Sequence, residues 1–130
     1  MLLKIITHER IIFEGEVDEL IIHTTVGQMG ILKDHIPVTT VLDVGVTQAK
    51  MGDKSKYFAT MGGVLQFKDN VATILADVCE DSCDIDVTRA KDAKKRAEAR
   101  LADASATVDS QRAQAALARA LVRLNAALNK

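Results

Sequence analysis

Glycine and proline divide this chain into two parts that must fold by different rules. All seven glycines and the single proline lie at or before Gly63, and the remaining half of the chain contains neither residue. These residues supply the unusual φ angles and rigid corners of tight turns, and both are unfavourable inside helices. The first part is therefore expected to contain short segments joined by turns, and the last part is expected to be helical.

The first eighty residues show the pattern of short β-strands. Runs rich in Val, Ile and Thr alternate with turn signals such as Gly15, Met51-Gly52-Asp53 and Lys68-Asp69-Asn70. Breaks at intervals of about eight to twelve residues are typical of an antiparallel sandwich or barrel. The predicted strands are Leu2–Ile6, Arg10–Phe13, Val17–Thr25, Met29–Leu32, Val38–Leu42, Val44–Ala49, Lys56–Thr60, Gly63–Phe67 and Val71–Ala76.

After Asp86 the small and apolar residues recur every three or four positions, which is the spacing of amphipathic helices. Residues Asp103–Ser110 interrupt this pattern with residue types that favour turns and N-caps. The segment is therefore predicted to form a two-helix hairpin. Its seam consists mostly of alanine, so it buries little area and should pack weakly.

Charge is distributed unevenly between the two parts. Residues 1–87 contain 7 Lys or Arg and 14 Asp or Glu, a balance of −7, whereas residues 88–130 contain 10 and 4, a balance of +6. A basic helical module on an acidic body indicates an anionic partner for the helices. Aromatic residues make up only 3% of the chain and Trp is absent, which argues against a nucleic-acid stacking platform.

The sequence offers no catalytic or metal-binding template. Gly62-Gly63 is followed by Val-Leu-Gln instead of the residues of a phosphate-binding loop. Cys79 and Cys83 have no second Cys/His pair nearby and are expected to be free structural thiols. Asp84 and Asp86 are expected to favour the start of the first helix through its dipole. No signal peptide or apolar run of ~20 residues is evident, so a soluble cytoplasmic protein is expected.

Four arginines are spaced to meet across the predicted hairpin. Arg89 and Arg96 are two helical turns apart, and Arg119 and Arg123 are one turn apart on the second helix. If the chain folds back near Ala106, the two pairs converge and their mutual repulsion favours a bound polyanion such as a nucleoside triphosphate. The alternative is that they are solvated positions on two basic helices.

Five stretches resemble the epsilon subunit of bacterial and chloroplast F-type ATP synthases, in the same order along essentially the whole chain. These stretches are Gly27–Leu32, His35–Pro37, Met61–Leu65, Asn70–Asp77 and Ile85–Ala90. The resemblance implies a ten-stranded antiparallel β-sandwich in residues 1–84 and a helical αα-hairpin in residues 85–130. It also implies a non-catalytic, peripheral subunit at the cytoplasmic face of the cell membrane, with no nucleic-acid partner.

In this family the sandwich docks on the gamma subunit and on the polar loops of the membrane c-ring. By the same resemblance Gln28 points to the c-ring edge and His35 lies near the gamma-facing side, although His35 is equally consistent with a structural hydrogen-bonding role. The helices are expected to switch between a compact hairpin and an extended form that reaches the alpha/beta catalytic hexamer and blocks ATP hydrolysis.

In some bacterial members the compact hairpin binds ATP, so regulatory ATP, alone or with magnesium, is the ligand that the resemblance implies for this chain. Their pattern Ile/Leu-Asp-x-x-Arg-Ala is matched here by Ile85, Asp86, Arg89 and Ala90. The remaining contacts are implied at Glu80, Arg96, Arg119 and Arg123. The resemblance thus places the base near Glu80, Ile85, Asp86 and Ala90, and the phosphates near the arginines. The competing hypotheses are a free-standing ATP-sensing module and a small-phosphoester hydrolase.

Overall fold

The computed structural model describes residues 1–103 and 110–129. Its strands are β1 (Leu2–Ile6), β2 (Ile11–Glu16), β3 (Glu19–Thr24), β4 (Gly27–Leu32), β5 (Val38–Met51), β6 (Lys54–Lys68), β7 (Val71–Ala76) and β8 (Cys79–Asp81). A 3₁₀ turn (Ser82–Asp84) leads into the helices α1 (Val87–Ala102) and α2 (Ser110–Leu128). The predicted interruption between the helices falls mainly on residues 104–109, outside the described residues.

The strands form one hydrogen-bonded network in the order β2-β1-β7-β6-β5-β3-β4, with β8 paired to β6. The pairs are antiparallel except that β1 runs parallel to β7, so the expectation of a wholly antiparallel sheet was wrong at this pair. The network folds over a shared core and forms an N-terminal β-sandwich, followed by two helices. This agrees with the predicted architecture.

Two long strands explain why the strand count differs from the sequence-based one. β5 and β6 keep one register from the pair Val38–Phe67 to the pair Met51–Lys54, although each was predicted as two strands. Gly62 and Gly63 bend β6 with φ angles of 78° and 131°, without ending it. The described residues thus contain eight strands, including the unpredicted β8, and the implied count of ten is not confirmed.

The core of the sandwich is built entirely from residues 1–79. Its largest fully buried side chains include Phe58, Phe67 and Leu20. Phe13 on β2 packs edge-on against Phe58 on β6, with ring centroids 5.6 Å apart. Because this main cluster contains no helical residue, the apolar burial within it does not depend on the helices.

The helices meet through small side chains, as the alanine spacing predicted. Ala90 and Ala97 of α1 and Ala113 and Ala120 of α2 are buried. A second cluster joins the hairpin to the sandwich and contains Ala59, Met61, Ile85, Ala126 and Ala127. The alanine seam between the helices buries little apolar area and is modest in energy, and α2 contributes only alanines to the fully buried part of the second cluster.

Neither described helix is long and apolar enough to span a bilayer.

Candidate functional site

A cavity of about 470 Å³ lies where β8, the 3₁₀ turn, α1 and α2 meet. Glu80 contributes from β8, and Ile85 and Asp86 from the link into α1. The first turns of α1 add Arg89, Ala90, Ala93 and Arg96, and α2 adds Arg123. Residues far apart in the sequence therefore line one space, because the hairpin folds back and docks against the sandwich.

The start of α1 forms one wall of the cavity. Asp86 is the N-cap of this helix, and its Oδ1 accepts the backbone N–H of Arg89 at 3.1 Å. This contact confirms that Asp86 favours the helix start, since an aspartate cap satisfies an otherwise unpaired N–H. Ile85 and Ala90 are buried beside it, whereas Arg89 is exposed. The wall thus combines an apolar patch with a cation.

The register of β8 directs Glu80 towards the opposite wall. Glu80 is paired with Ala59 of β6, and Ala59 faces the helices in the cluster that joins hairpin and sandwich. Paired residues on neighbouring strands project to the same face of a sheet. Glu80 accordingly reaches Arg123, whose Nε and Nη2 both lie 3.0 Å from Glu80 Oε1.

The four predicted arginines are only partly brought together. Arg89, Arg96 and Arg123 line the cavity, whereas Arg119 is half-buried one turn before Arg123 and is not a lining residue. Sequence reasoning missed two residues of the lining, Asp84 and Ala93. Ala93 could have been found, because it follows Arg89 by four positions and shares its face of α1.

The charges around the cavity are balanced. The lining contains three arginines and three acids, Glu80, Asp84 and Asp86. The expected mutual repulsion of the arginines is therefore offset, because an equal number of carboxylates lies around the same cavity. Within the described part of the chain, the guanidinium groups of Arg89 and Arg96 form none of the ion pairs, whereas Arg123 is engaged by Glu80. The site thus combines two uncommitted cations with one that is already paired.

Among the described residues, Cys79 and Asp81 of β8 have pKa values shifted from their usual range. Burial raises the pKa of the Cys79 thiol to about 11, partly opposed by its hydrogen bond with Thr60. Burial alone would raise the pKa of Asp81 too, but hydrogen bonds from Lys56 Nζ and the Cys83 backbone lower it below its usual value. Cys79 and Cys83 are both free, as expected. The described residues contain no group of three or more potential metal-ligating side chains.

Gln28 and His35 belong to other parts of the sandwich. Gln28 is exposed on β4, opposite His23 of β3. His35 is half-buried in the loop after β4, where its Nδ1 donates to the Ile36 carbonyl oxygen at 2.7 Å and its ring packs edge-on against Phe67. These contacts give His35 a structural role whether or not it also faces a partner.

Comparison with known proteins covers both parts of the chain. Residues 1–82 match the β-sandwich domain of the ATP synthase delta/epsilon chain, and residues 84–127 match its long α-helix domain. The chain is 45% identical over 128 residues to the ATP synthase epsilon chain of Symbiobacterium thermophilum, covering 98% of this chain and 92% of that protein. It is 39% identical to that of Desulforamulus reducens, covering 96% and 95%.

A similar fold occurs in the solved mitochondrial ATP synthase of Euglena gracilis, a structure of OSCP, F1 and c-ring in rotational state 1. The TM-score is 0.81 at 24% identity, over 97% of this chain and 79% of the matched chain. At that identity the likeness supports the fold, while the family rests on the closer relatives. The chain belongs to the epsilon-chain family of F-type ATP synthases, whose members are non-catalytic subunits of the central stalk in F1, the part of the enzyme peripheral to the membrane.

Proposed function

We propose that this subunit couples rotation between the c-ring and the catalytic hexamer through its sandwich, and that its hairpin restrains ATP hydrolysis under the control of bound ATP. The compact hairpin is then the permissive form and an extended hairpin the inhibitory one. The observation that carries the regulatory part is the cavity between hairpin and sandwich, because only the compact arrangement assembles its walls. The subunit would act at the cytoplasmic face of the cell membrane.

One face of the sandwich suits a stable protein partner such as gamma. Val41, Val64 and Leu75 stand opposite one another on β5, β6 and β7, and their exposed fractions are 55%, 38% and 56%. Ile6 and Ile11 continue the row across β1 and β2. Contiguous exposed apolar side chains mark interaction surfaces, and burying this row would stabilise a complex with gamma.

The β3–β4 turn supports a second contact, with the polar loops of the c-ring. Val26 at this turn is 94% exposed, and Gln28 follows it on the exposed side of β4. An apolar tip beside an uncharged amide can contact a polar loop without desolvating a charge. His35, held by Ile36 and Phe67, would contribute to the gamma side only through its exposed part.

The cavity has a size and lining that suit a nucleotide. Its volume of about 470 Å³ falls within the range typical of small-molecule sites. Ile85 and Ala90 offer an apolar surface for the base, and Glu80 and Asp86 offer acceptors for its amino group. Arg89, Arg96 and Arg123 would meet the phosphates. Arg119 is half-buried on α2 and would need a small rearrangement to join them.

Weak packing makes the hairpin a suitable moving part. In the cluster that joins the hairpin to the sandwich, the buried residues of α2 are alanines, Ala126 and Ala127, and the seam between the two helices is also mostly alanine. A ligand that bridges both helices and prefers the compact form would shift the population towards it in proportion to that preference. The released helices carry the basic part of the chain and would suit an acidic surface on the hexamer.

Reconstitution with a gamma-containing catalytic complex tests the proposal. Full-length protein should inhibit ATP hydrolysis, inhibition should weaken as ATP rises, and removal of residues 88–130 should abolish inhibition while binding to gamma persists. Inhibition that survives the truncation would assign it to the sandwich. Failure to bind gamma, with ATP binding intact, would favour the alternative of a free-standing ATP sensor.

A further inference from the structure

The outer face formed by β5, β6, β7, β1 and β2 carries its side chains in ordered rows. One of them, the apolar row, crosses these five neighbouring strands and consists of Val41, Val64, Leu75, Ile6 and Ile11. Four of its members are exposed, and Ile6 is half-buried. Neighbouring strands lie about 4.8 Å apart, so the row is about 19 Å long. The sandwich thus presents a long apolar line that runs across its strands.

A polar row runs beside the apolar row on the same face. It lies two residues away along β5, β6, β7 and β1, continues onto β2, and consists of Thr39, Gln66, Thr73, Lys4 and Glu14. Residues two apart on a strand share a face and are separated by about 7 Å. Lys4 and Glu14 form an ion pair at 3.9 Å, so the charges of this row balance. The apolar surface is therefore narrow as well as long.

Two acids flank the apolar row on its other side. Asp43 follows Val41 by two residues, Asp77 follows Leu75 by two residues, and both acids are exposed. Gly62 lies between them on β6, where its carbonyl oxygen accepts the Asp77 N–H at 3.2 Å. Among the ion pairs of the described residues, none includes either acid. The end of the row on β5, β6 and β7 therefore offers negative charge to a partner.

The opposite end of the row is not acidic. Arg10 precedes Ile11 and is exposed, and its charge offsets that of Glu9 in the same turn between β1 and β2. His8 Nε2 lies 3.7 Å from Glu9 Oε1 and adds no negative charge. Because the acids are confined to one end, a partner that carries its cations at one end of an apolar stripe is favoured in a single direction.

An amphipathic helix is the element whose shape fits this surface. Its apolar side chains recur at i, i+4, i+7 and i+11, on average about 5 Å apart along the axis, close to the separation of neighbouring strands. A helix of about 13 residues spans the 19 Å of the row. A partner strand laid in the same direction would present its side chains about 7 Å apart, out of step with the row.

We propose that the apolar row binds one amphipathic helix of gamma laid across the strands, and that Asp43 and Asp77 fix its direction by pairing with Lys or Arg at the edge of its apolar stripe. This inference rests on the proposed docking of the sandwich on gamma, and it names the element bound and the residues that make the contact specific. Burial of the row supplies most of the affinity, whereas the exposed acids speed association and disfavour the reversed helix.

Titration of a gamma-containing catalytic complex tests the role of the acids. Asp43→Asn and Asp77→Asn remove the charge and keep a side-chain oxygen, such as the one on Asp43 that accepts the Val44 N–H at 2.8 Å. Each should weaken binding by about two- to five-fold at low salt, the range for an exposed ion pair, and the loss should shrink at about 1 M salt. Asp53→Asn is the matched control, because Asp53 is exposed in the turn at the other end of β5 and should bind like wild type. Losses no larger than that of the control, or independent of salt, would overturn the role of the acids.

Photo-cross-linking tests whether one helix spans the row. A photoreactive amino acid is placed at Thr39 or at Glu14, which lie beside the row on β5 and β2, its two outermost strands. The two positions should cross-link to a single gamma helix at residues about 13 positions apart, with the Thr39 cross-link nearer the cationic end. Cross-links to separate segments, or to a strand, would overturn the helix and leave docking on gamma intact. Failure of wild type to bind gamma would contradict the docking itself, and this inference with it.

Discussion

Gly63 on β6 lies directly against the backbone of Leu75 on β7: a Cβ atom at Gly63 would overlap the Leu75 carbonyl oxygen and come within 2.8 Å of the Ala76 Cα. Gly63 also has a φ of 131°, a conformation that residues with a side chain rarely adopt. At this point β6 changes its partner from β8 to β7. The bend that directs one strand along both β8 and β7 therefore requires glycine for two independent reasons.

Gly63→Ala is expected to destabilise the protein by about 2–5 kcal/mol, because backbone strain and overlap with a neighbouring strand add together. Gly52→Ala is the control. Gly52 also has a positive φ, 61°, but a Cβ there meets nothing within 4 Å, so its cost should be about 1 kcal/mol. Urea unfolding of the three proteins measures both values. Similar losses for the two variants would contradict the close approach at Gly63.

The two cysteines should react at very different rates. Burial raises the pKa of Cys79 to about 11, so this thiol stays protonated and inaccessible at pH 8, whereas Cys83 is exposed. A chromogenic thiol reagent at pH 8 should modify one thiol per chain rapidly and the second only after unfolding in urea. Cys83→Ser should remove the rapid phase. Two rapid thiols would show that β8 separates readily from β6.

Acid should weaken the attachment of β8 through Asp81. The pKa of Asp81 is lowered in the folded chain, so its pair with Lys56 contributes fully above the ordinary value of 3.8. The contribution is lost as the pH falls through the lower folded value, since the unfolded chain binds the proton first. Asp81→Asn should therefore lower the free energy of unfolding at pH 7 by about 0.5–1 kcal/mol, and by less at pH 3. If Asp81→Asn lowers the free energy of unfolding equally at pH 7 and at pH 3, this assignment is contradicted.

Arg123→Ala should weaken ATP binding by about tenfold. A lost charged hydrogen bond is worth ~1.5–3 kcal/mol, and the low end applies because Arg123 must give up Glu80 before it meets a phosphate. Lys95→Ala is the control, because it removes an exposed cation of α1 that does not line the cavity. Isothermal titration should show that the control variant binds ATP with nearly the same affinity as wild type. Equal losses in both variants would indicate a general charge effect and no specific role for Arg123.

Most of the fold could be predicted because local rules and tertiary structure agree. The alanine spacing predicted the seam, with Ala90, Ala97, Ala113 and Ala120 buried. The strand ends were less predictable: Asp43 and Gly62 look like breaks in the sequence, but β5 and β6 continue through them because each strand supports the other in one register. Three-residue β8 has no pattern of its own and is defined only by its pairing with β6.

The candidate site was predictable where it follows helix geometry and unpredictable where it depends on packing. The Ile/Leu-Asp-x-x-Arg-Ala motif predicted four lining positions at the start of α1, namely Ile85, Asp86, Arg89 and Ala90. The Glu80–Arg123 pair does not, because it depends on a strand register and on how α2 docks 43 residues later in the chain. Arg119, predicted from spacing alone, does not line the cavity, since residues four apart on one helix still differ in direction and reach.

A fragment of residues 1–84 should fold without the helices. The main core cluster lies wholly within residues 1–79, and its strand pairs need no helical residue. The fragment should give a β-rich circular dichroism spectrum and a cooperative thermal transition, at a lower temperature than the full chain because the docking contact is lost.

Removal of the helices exposes the face that Ala59 and Met61 present to them. That face would carry unpartnered apolar side chains next to β8, which pairs only with β6 among the described strands, a combination that favours association of fragments. Met61→Gln within the fragment should therefore reduce association, measured by sedimentation, with little effect on folding. In the full chain the same change should destabilise the protein, because it places an amide in the contact between sandwich and hairpin. A fragment that remains unfolded would show that the helices complete the sandwich core and do not merely rest on it.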